Sequence, residues 1–132
     1  FATACYCLLN TDTRELKFAR AGHPYPVLIR SGGRMHTLET RGPLLGVFRD
    51  SRYVQGSVTL ARGDKLLLYS DGADALVGAA DDAGELNFTP RFSALSFLPV
   101  EEMLTELDLA AGSYIWPDGQ KDDITALGLE AL

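Results

Sequence analysis

Polar and apolar residues alternate loosely from Thr3 to Leu9. The turn signal Asn10-Thr11-Asp12-Thr13 follows, then Glu15-Leu16-Lys17-Phe18-Ala19, and together they predict a β-hairpin. A second hairpin is predicted from Pro26-Val27-Leu28-Ile29-Arg30, the Ser31-Gly32-Gly33 turn and Met35-His36-Thr37-Leu38. Gly42-Pro43-Leu44-Leu45-Gly46-Val47-Phe48 reads as a packed loop, because Gly and Pro punctuate its apolar residues. Tyr53 to Leu60 alternates again, and Lys65 to Tyr69 is an almost continuous apolar run of the kind a central strand carries. Beyond Ser70-Asp71-Gly72 the pattern changes. Ala73 to Ala80 predicts a short helix, Asp81-Asp82-Ala83-Gly84 a loop, and residues 86–98 an irregular stretch broken by Pro90 and Pro99. Val100 to Ala110 spaces Met103, Leu104, Leu107 and Leu109 among acids, as an amphipathic helix does, and opens with Glu101-Glu102 at its positive end. After a loop from Gly112 to Gln120, Ile124 to Leu129 predicts a final strand. Antiparallel strands with late helices make an α+β fold. Phe1, Tyr6, Phe18, Phe48 and Tyr69 alternate with apolar positions and are expected in the core.

The chain has 132 residues, 46% of them hydrophobic and 23% charged. A chain of that size buries about 68% of its unfolded surface, enough for a core without staples. Cys5 and Cys7 lie two apart on one strand face, a poor disulfide geometry, so a reduced, cytoplasmic setting is expected. No apolar run approaches the roughly 20 residues of a membrane span, which disfavours insertion by this segment. The net charge of −6 divides unevenly: residues 1–65 carry +5 and residues 66–132 carry −11. That balance excludes the basic stripe nucleic acid needs. Asp81, Asp82, Glu85, Glu101, Glu102, Glu106 and Asp108 read as a solvated face, and the Trp116-Pro117 loop as self-anchoring.

Three acids stand apart from that face by position. Asp71 follows the apolar strand ending at Ser70, and Asp122-Asp123 precedes the strand starting at Ile124. If those strands are antiparallel neighbours, the acids converge. Like charges held together call for a cation, and oxygen donors without a Cys/His cluster point to Mg²⁺ or Mn²⁺. Spacing alone also allows ordinary turns, since Asp-Gly and Asp-Asp are common in loops.

The ordered motifs Ala21-Gly22-His23-Pro24, Gly42-Pro43-Leu44-Leu45-Gly46, Gly63-Asp64-Lys65-Leu66-Leu67-Leu68-Tyr69-Ser70-Asp71-Gly72 and Asp122-Asp123-Ile124-Thr125 resemble the SpoIIE-like branch of the metal-dependent, PPM-type serine/threonine phosphatases. The resemblance runs from about Phe1 to about Leu129 and covers the C-terminal two-thirds of such a domain, so residues 1–132 are expected to be a partial domain lacking its N-terminal part. It implies an antiparallel β-sandwich flanked by helices, with two Mn²⁺ or Mg²⁺ ions activating water against phosphoserine or phosphothreonine. Asp71, with Gly72 beside it, corresponds to the metal-binding Asp-Gly motif; Asp122 corresponds to the acid of the final motif, and Asp123 to a neighbouring or alternative ligand. The implied partner is a phosphorylated regulatory protein such as an anti-sigma-factor antagonist. The family's first metal motif, an upstream Gly-His-Gly segment, has no counterpart in the chain, which keeps a catalytically inactive, partner-binding module as the alternative function. Where the family's Asp-Gly motif is followed by a Glu, this chain has Asp74 and Ala75, and Asp74 is a stand-in for a structural contact. His23 either satisfies a turn carbonyl or faces the site, as an acid at the corresponding turn does toward a third metal in the wider family; His36 reads as a surface residue. Sheet edges and apolar core exposed in a partial sandwich lead to the expectation of homodimerisation.

Overall fold

The computed structural model describes residues 1–81, 85–117, 119 and 121–132. Two antiparallel sheets and a helical layer make three tiers. The first sheet joins β1 (Ala4–Leu9), β2 (Glu15–Ala21) and β5 (Gln55–Thr59) in the order β1-β2-β5. The second joins β3 (Val27–Ile29), β4 (Met35–Thr37), β6 (Lys65–Tyr69) and β9 (Ala126–Glu130) in the order β4-β3-β6-β9. A small hairpin, β7 (Gly78–Ala80) with β8 (Leu86–Phe88), sits among α1 (Asp74–Val77), α2 (Pro90–Leu95) and α3 (Val100–Ser113).

Strand β6 is apolar along its length because both of its faces are covered. Leu66 joins Leu16, Phe18, Leu28, Leu38 and Leu60 between the two sheets, whereas Leu67 and Tyr69 point to the helical side and pack with Val27, Val77, Phe92, Met103 and Leu107. Lys65, at the start of that strand, is only 5% exposed. Its Nζ donates to the carbonyls of Ser96 and Leu98 at 2.8 and 2.7 Å, while its register partner Glu130 accepts the Val100 N–H at 2.9 Å. Two neighbouring charges on the sheet thus tie down both sides of the turn between α2 and α3. Glu130 supplies the N-terminal acceptor of α3 that Pro99 lacks.

Several expected elements take a different form. The helix expected at Ala73–Ala80 covers only Asp74–Val77, because Gly78 lets the chain cross close to the Asn87 carbonyl and pair as β7. Residues 86–98 are ordered as β8 and α2: the Thr89 hydroxyl caps Phe92 N–H at 3.1 Å, and Pro90 occupies the first helical position, where its missing N–H costs nothing. Helix α3 runs on through Gly112 to Ser113, and β9 begins at Ala126 rather than Ile124. Phe18 and Tyr69 are core, but Phe1, Tyr6 and Phe48 are 92%, 68% and 65% exposed. Tyr6 lies on the outer face of β1, and Phe48 on the exposed end of a loop in which Pro43 and Leu44 are half-buried, Leu44 against Gly22, while Leu45, Val47 and Phe48 are exposed. Asp82, with Ala83 and Gly84 of the expected loop, and Gln120 lie outside the described residues.

Candidate functional site

β6 and β9 pair antiparallel with Tyr69 opposite Ala126, so the exit of one strand lies beside the entry of the other. The ladder continues one step, with Ser70 N–H bonded to the Thr125 carbonyl at 2.9 Å. The Ser70 hydroxyl then joins the two acidic segments. It donates to the Asp123 carbonyl at 3.1 Å and accepts the Thr125 N–H at 2.9 Å. Asp71 opens a 3-10 turn, its Oδ1 accepting the Gly72 N–H at 3.1 Å, and Asp122 Oδ1 accepts the Asp123 N–H at 2.8 Å. Gly72 is where the segments touch: a Cβ there would stand 2.4 Å from the Asp123 carbonyl oxygen.

Asp71, Asp122 and Asp123 are exposed and make no ion pair among the described residues. Their donors are hard carboxylate oxygens, suited to Mg²⁺ or Mn²⁺. No group of three or more Asp, Glu, His or Cys side chains placed to hold a metal occurs among the described residues. Asp74 lines the groove beside Asp71, and its side chain makes no hydrogen bond among the described residues. Lost hydration, and then the Asp71 charge, push its carboxyl above the usual carboxylate range.

The groove, about 550 Å³, brings together Asp71, Asp74, Tyr69 and Ser70 with Arg20, His23 and Tyr25. Gly22, at φ +64°, makes the turn that presents His23, and its N–H bonds the Gly42 carbonyl at 3.0 Å. Two of the motifs therefore meet through their backbones. Arg20 holds the same turn: its guanidinium donates to the carbonyls of His23 and Thr40 and lies 4.0 Å over the Tyr25 ring. His23 Nδ1 is 3.0 Å from the Pro24 carbonyl, so the ring satisfies a turn carbonyl and lines the groove at once. His36 is exposed on β4; lost hydration, then Arg30 and Arg34, lower its pKa.

Sequence reasoning missed Ser70 and Arg20 as positioning groups. Both stand beside motif residues, but nothing local signals that a hydroxyl reaches the backbone 53 positions on.

The family model described as Stage II sporulation protein E (SpoIIE) matches residues 1–131. The chain belongs to the SpoIIE family. Phosphoserine phosphatase RsbU of Bacillus subtilis is 34% identical over 73 residues, which is 54% of this chain and 22% of that protein. The crystal structure of the RsbU and RsbW domains of Rv1364c from Mycobacterium tuberculosis matches with TM-score 0.74 and 25% identity over 97% of this chain and 36% of that one. The Mn-presoaked phosphatase domain of SpoIIE from Bacillus subtilis matches in fold, with TM-score 0.61 at 16% identity, over 98% of this chain and 56% of that one. The α+β, PPM-like sandwich is thus the fold of this SpoIIE-family chain. It spans about a fifth of the length of the curated relatives it matches. None of its described helices is long and apolar enough to cross a membrane.

Proposed function

We propose that this SpoIIE-family chain forms part of a Mn²⁺- or Mg²⁺-dependent protein phosphatase, acting on phosphoserine or phosphothreonine of a regulatory protein such as an anti-sigma-factor antagonist. The observation that carries the reading is the meeting of Asp71-Gly72 with Asp122-Asp123 at one end of β6 and β9, where these acids make no ion pair among the described residues.

Asp71 and Asp122 would hold the metals, with Asp123 beside them, and Gly72 keeps the two segments in contact. When bound, two divalent ions supply an acidified water nucleophile and neutralise charge on the phosphoryl group. The chain's own contribution is placement. Ser70 fixes the spacing of the acid segments, and the groove between Asp71 and the His23 turn is the space for the phosphorylated side chain.

The test uses the full parent protein, Mn²⁺ and a phosphoserine protein substrate. Asp71→Asn and Asp122→Asn are each expected to lower turnover by 100-fold or more, on the order of the loss when a group stabilising transition-state charge is removed. Turnover within a few-fold of wild type would sink the metal assignment. A second reading, a partner-binding module without catalysis, draws on the lack of a three-residue metal cluster among the described residues. It is distinguished by calorimetry: that module takes up no Mn²⁺, whereas the phosphatase does. Residues 1–132 alone are expected to show little hydrolysis, because their acids supply only part of a binuclear shell.

A further inference from the structure

We propose that Cys5 and Cys7 of β1 form a two-thiolate site for a soft divalent cation of the zinc kind, separate from the carboxylate segments and independent of the phosphatase reading. The pleat of a strand puts side chains two apart on one face. Here both cysteines are half-buried on the inner face of β1, and Tyr6 between them turns outward. The sulfurs stand 4.0 Å apart, and both thiols are free. That spacing is about twice the roughly 2.0 Å of a disulfide bond, so the pair is poorly placed to oxidise. It is well placed for a shared ion: two zinc–sulfur bonds of about 2.3 Å, opened to roughly 120°, span about 4.0 Å. No movement of the strand is needed to bring both sulfurs to one cation.

The surroundings hold the pair and leave room beside it. β1 is laddered to β2 along its whole length, from Ala4 opposite Ala21 to Leu9 opposite Leu16, which fixes the backbone spacing of the two cysteines. Cys7 packs against the Leu16 and Phe18 cluster between the sheets. Cys5 opens instead onto a notch of about 150 Å³ that it shares with His23, Ser70 and Leu127. At about 30 Å³ for each water, the notch has space for a cation and part of its hydration shell. Arg20 stands opposite Cys5 in the ladder. Donation from the Cys7 S–H and, against the effect of burial, the Arg20 charge favour the thiolate of Cys5, the form that binds metal. The same bond, then burial and the Cys5 charge, keep the proton on Cys7 until an arriving cation displaces it.

Among the described residues no third Cys, His, Asp or Glu completes a metal-holding group with the pair, so the remaining coordination positions fall to water or to a small ligand entering the notch. The donor atoms set the selectivity. Thiolate sulfur favours Zn²⁺ and its soft relatives over Mg²⁺ and Mn²⁺, whereas the carboxylate oxygens of Asp71, Asp122 and Asp123 have the opposite preference. Excess Mn²⁺ should therefore not compete for the thiol pair.

The experiment titrates Cd²⁺, a zinc analogue whose thiolate bonds absorb in the ultraviolet, into the full parent protein kept reduced and saturated with Mn²⁺. Wild type is compared with Cys5→Ser, with Cys7→Ser and with the double variant Cys5→Ala, Cys7→Ala, and thermal unfolding is measured alongside. The double variant is expected to lose one thiolate-to-cadmium absorption step that the wild type shows and that Zn²⁺ competes away. Each single variant should weaken that step by more than the roughly 10–100-fold lost with a partner outside the coordination shell. Cysteines that serve only as small packing residues would alter the unfolding temperature and leave Cd²⁺ uptake within about three-fold, which would overturn the proposal. Dependence on Cys5 alone would overturn it too, by making Cys5 a single reactive thiol. So would displacement of Cd²⁺ by Mn²⁺, because the ion would then sit on the carboxylates. If the variants fail to fold, X-ray absorption at the cadmium edge of wild-type protein loaded with one equivalent decides. Two sulfur neighbours support the site, and any other number of them refutes it.

Discussion

Adding one methyl group at Gly72 tests the contact on which the site depends. A Cβ there would sit 2.4 Å from the Asp123 carbonyl oxygen and 3.0 Å from its carbon. Reaching even a 3.0 Å contact with that oxygen requires the two segments to part by roughly 0.6 Å, and the atom in the way is backbone, which cannot rotate aside. Overpacking of this kind costs about 1–3 kcal/mol, and here it also weakens the Ser70 hydroxyl's bonds to Asp123 and Thr125. Gly72→Ala in the parent protein is therefore expected to lower the Tm of the unit containing this chain by roughly 3–10 °C. It should also weaken Mn²⁺ binding by ten-fold or more, since the acids are pushed apart. Gly112→Ala is the matched control. Nothing lies within 4 Å of its would-be Cβ, and it sits within α3, so alanine should stabilise by about 0.5–1 kcal/mol without touching metal affinity. Differential scanning fluorimetry and calorimetric Mn²⁺ titration read both effects. If Gly72→Ala matched Gly112→Ala in stability and metal affinity, the packing of the two acid segments would not be what forms the site.

Asp64, 1% exposed, is held by Arg30 at 2.6 Å and by the N–H groups of Ser31 and Ala61 at 3.0 and 2.8 Å. Burial alone would raise its carboxyl, but the bonds from Ala61, Arg30 and Ser31 and the Arg30 charge outweigh it and hold the folded-state value below the ordinary 3.8. A depressed carboxyl stabilises fully above its unfolded value and loses that contribution as pH falls through the folded one. Asp64→Asn should thus cost about 2–3 kcal/mol at pH 7 in urea unfolding, and the gap to wild type should shrink as the pH drops below 3.8; a gap independent of pH would show that the charge is not the cause. Lys65→Met keeps the buried stem but leaves the Ser96 and Leu98 carbonyls without their donor, with an expected loss of about 2 kcal/mol. Amide exchange should rise in α2 and the first turn of α3 before the β-sandwich; uniform protection would refute that anchoring.

The sheets were legible because their signals are local and repetitive. Hairpins β1–β2 and β3–β4 announce themselves by alternation and turn residues, and β6 by an apolar run that only double coverage explains. What was illegible depends on partners far along the chain. Pro90 looks like a breaker until Thr89 is seen to cap the helix it begins. Tyr6 and Leu8 look like core, yet they lie on the outer face of β1, 68% and 56% exposed, and alternation cannot say which face of a strand is covered. The site shows the same division. The positions of Asp71 and Asp122-Asp123 beside apolar runs predicted their convergence, because antiparallel pairing turns a sequence position into a place. The Ser70 hydroxyl and the Arg20 clamp are geometric facts without a periodic signature.

The motifs themselves acquire a physical reason from two close backbone approaches. Gly42 lies against the Arg20 carbonyl and accepts the Gly22 N–H, and Gly72 lies against the Asp123 carbonyl. In each case a side chain would have to occupy space already filled by a peptide group. Glycine is thus required at Gly42 and Gly72 by neighbours in contact rather than by the local turn. The first contact orients the His23 turn and the second brings Asp71 beside Asp122-Asp123, and the groove is lined by that turn together with Asp71 and Asp74. Backbone contacts at two glycines therefore set where residues spread from position 20 to position 125 stand relative to one another.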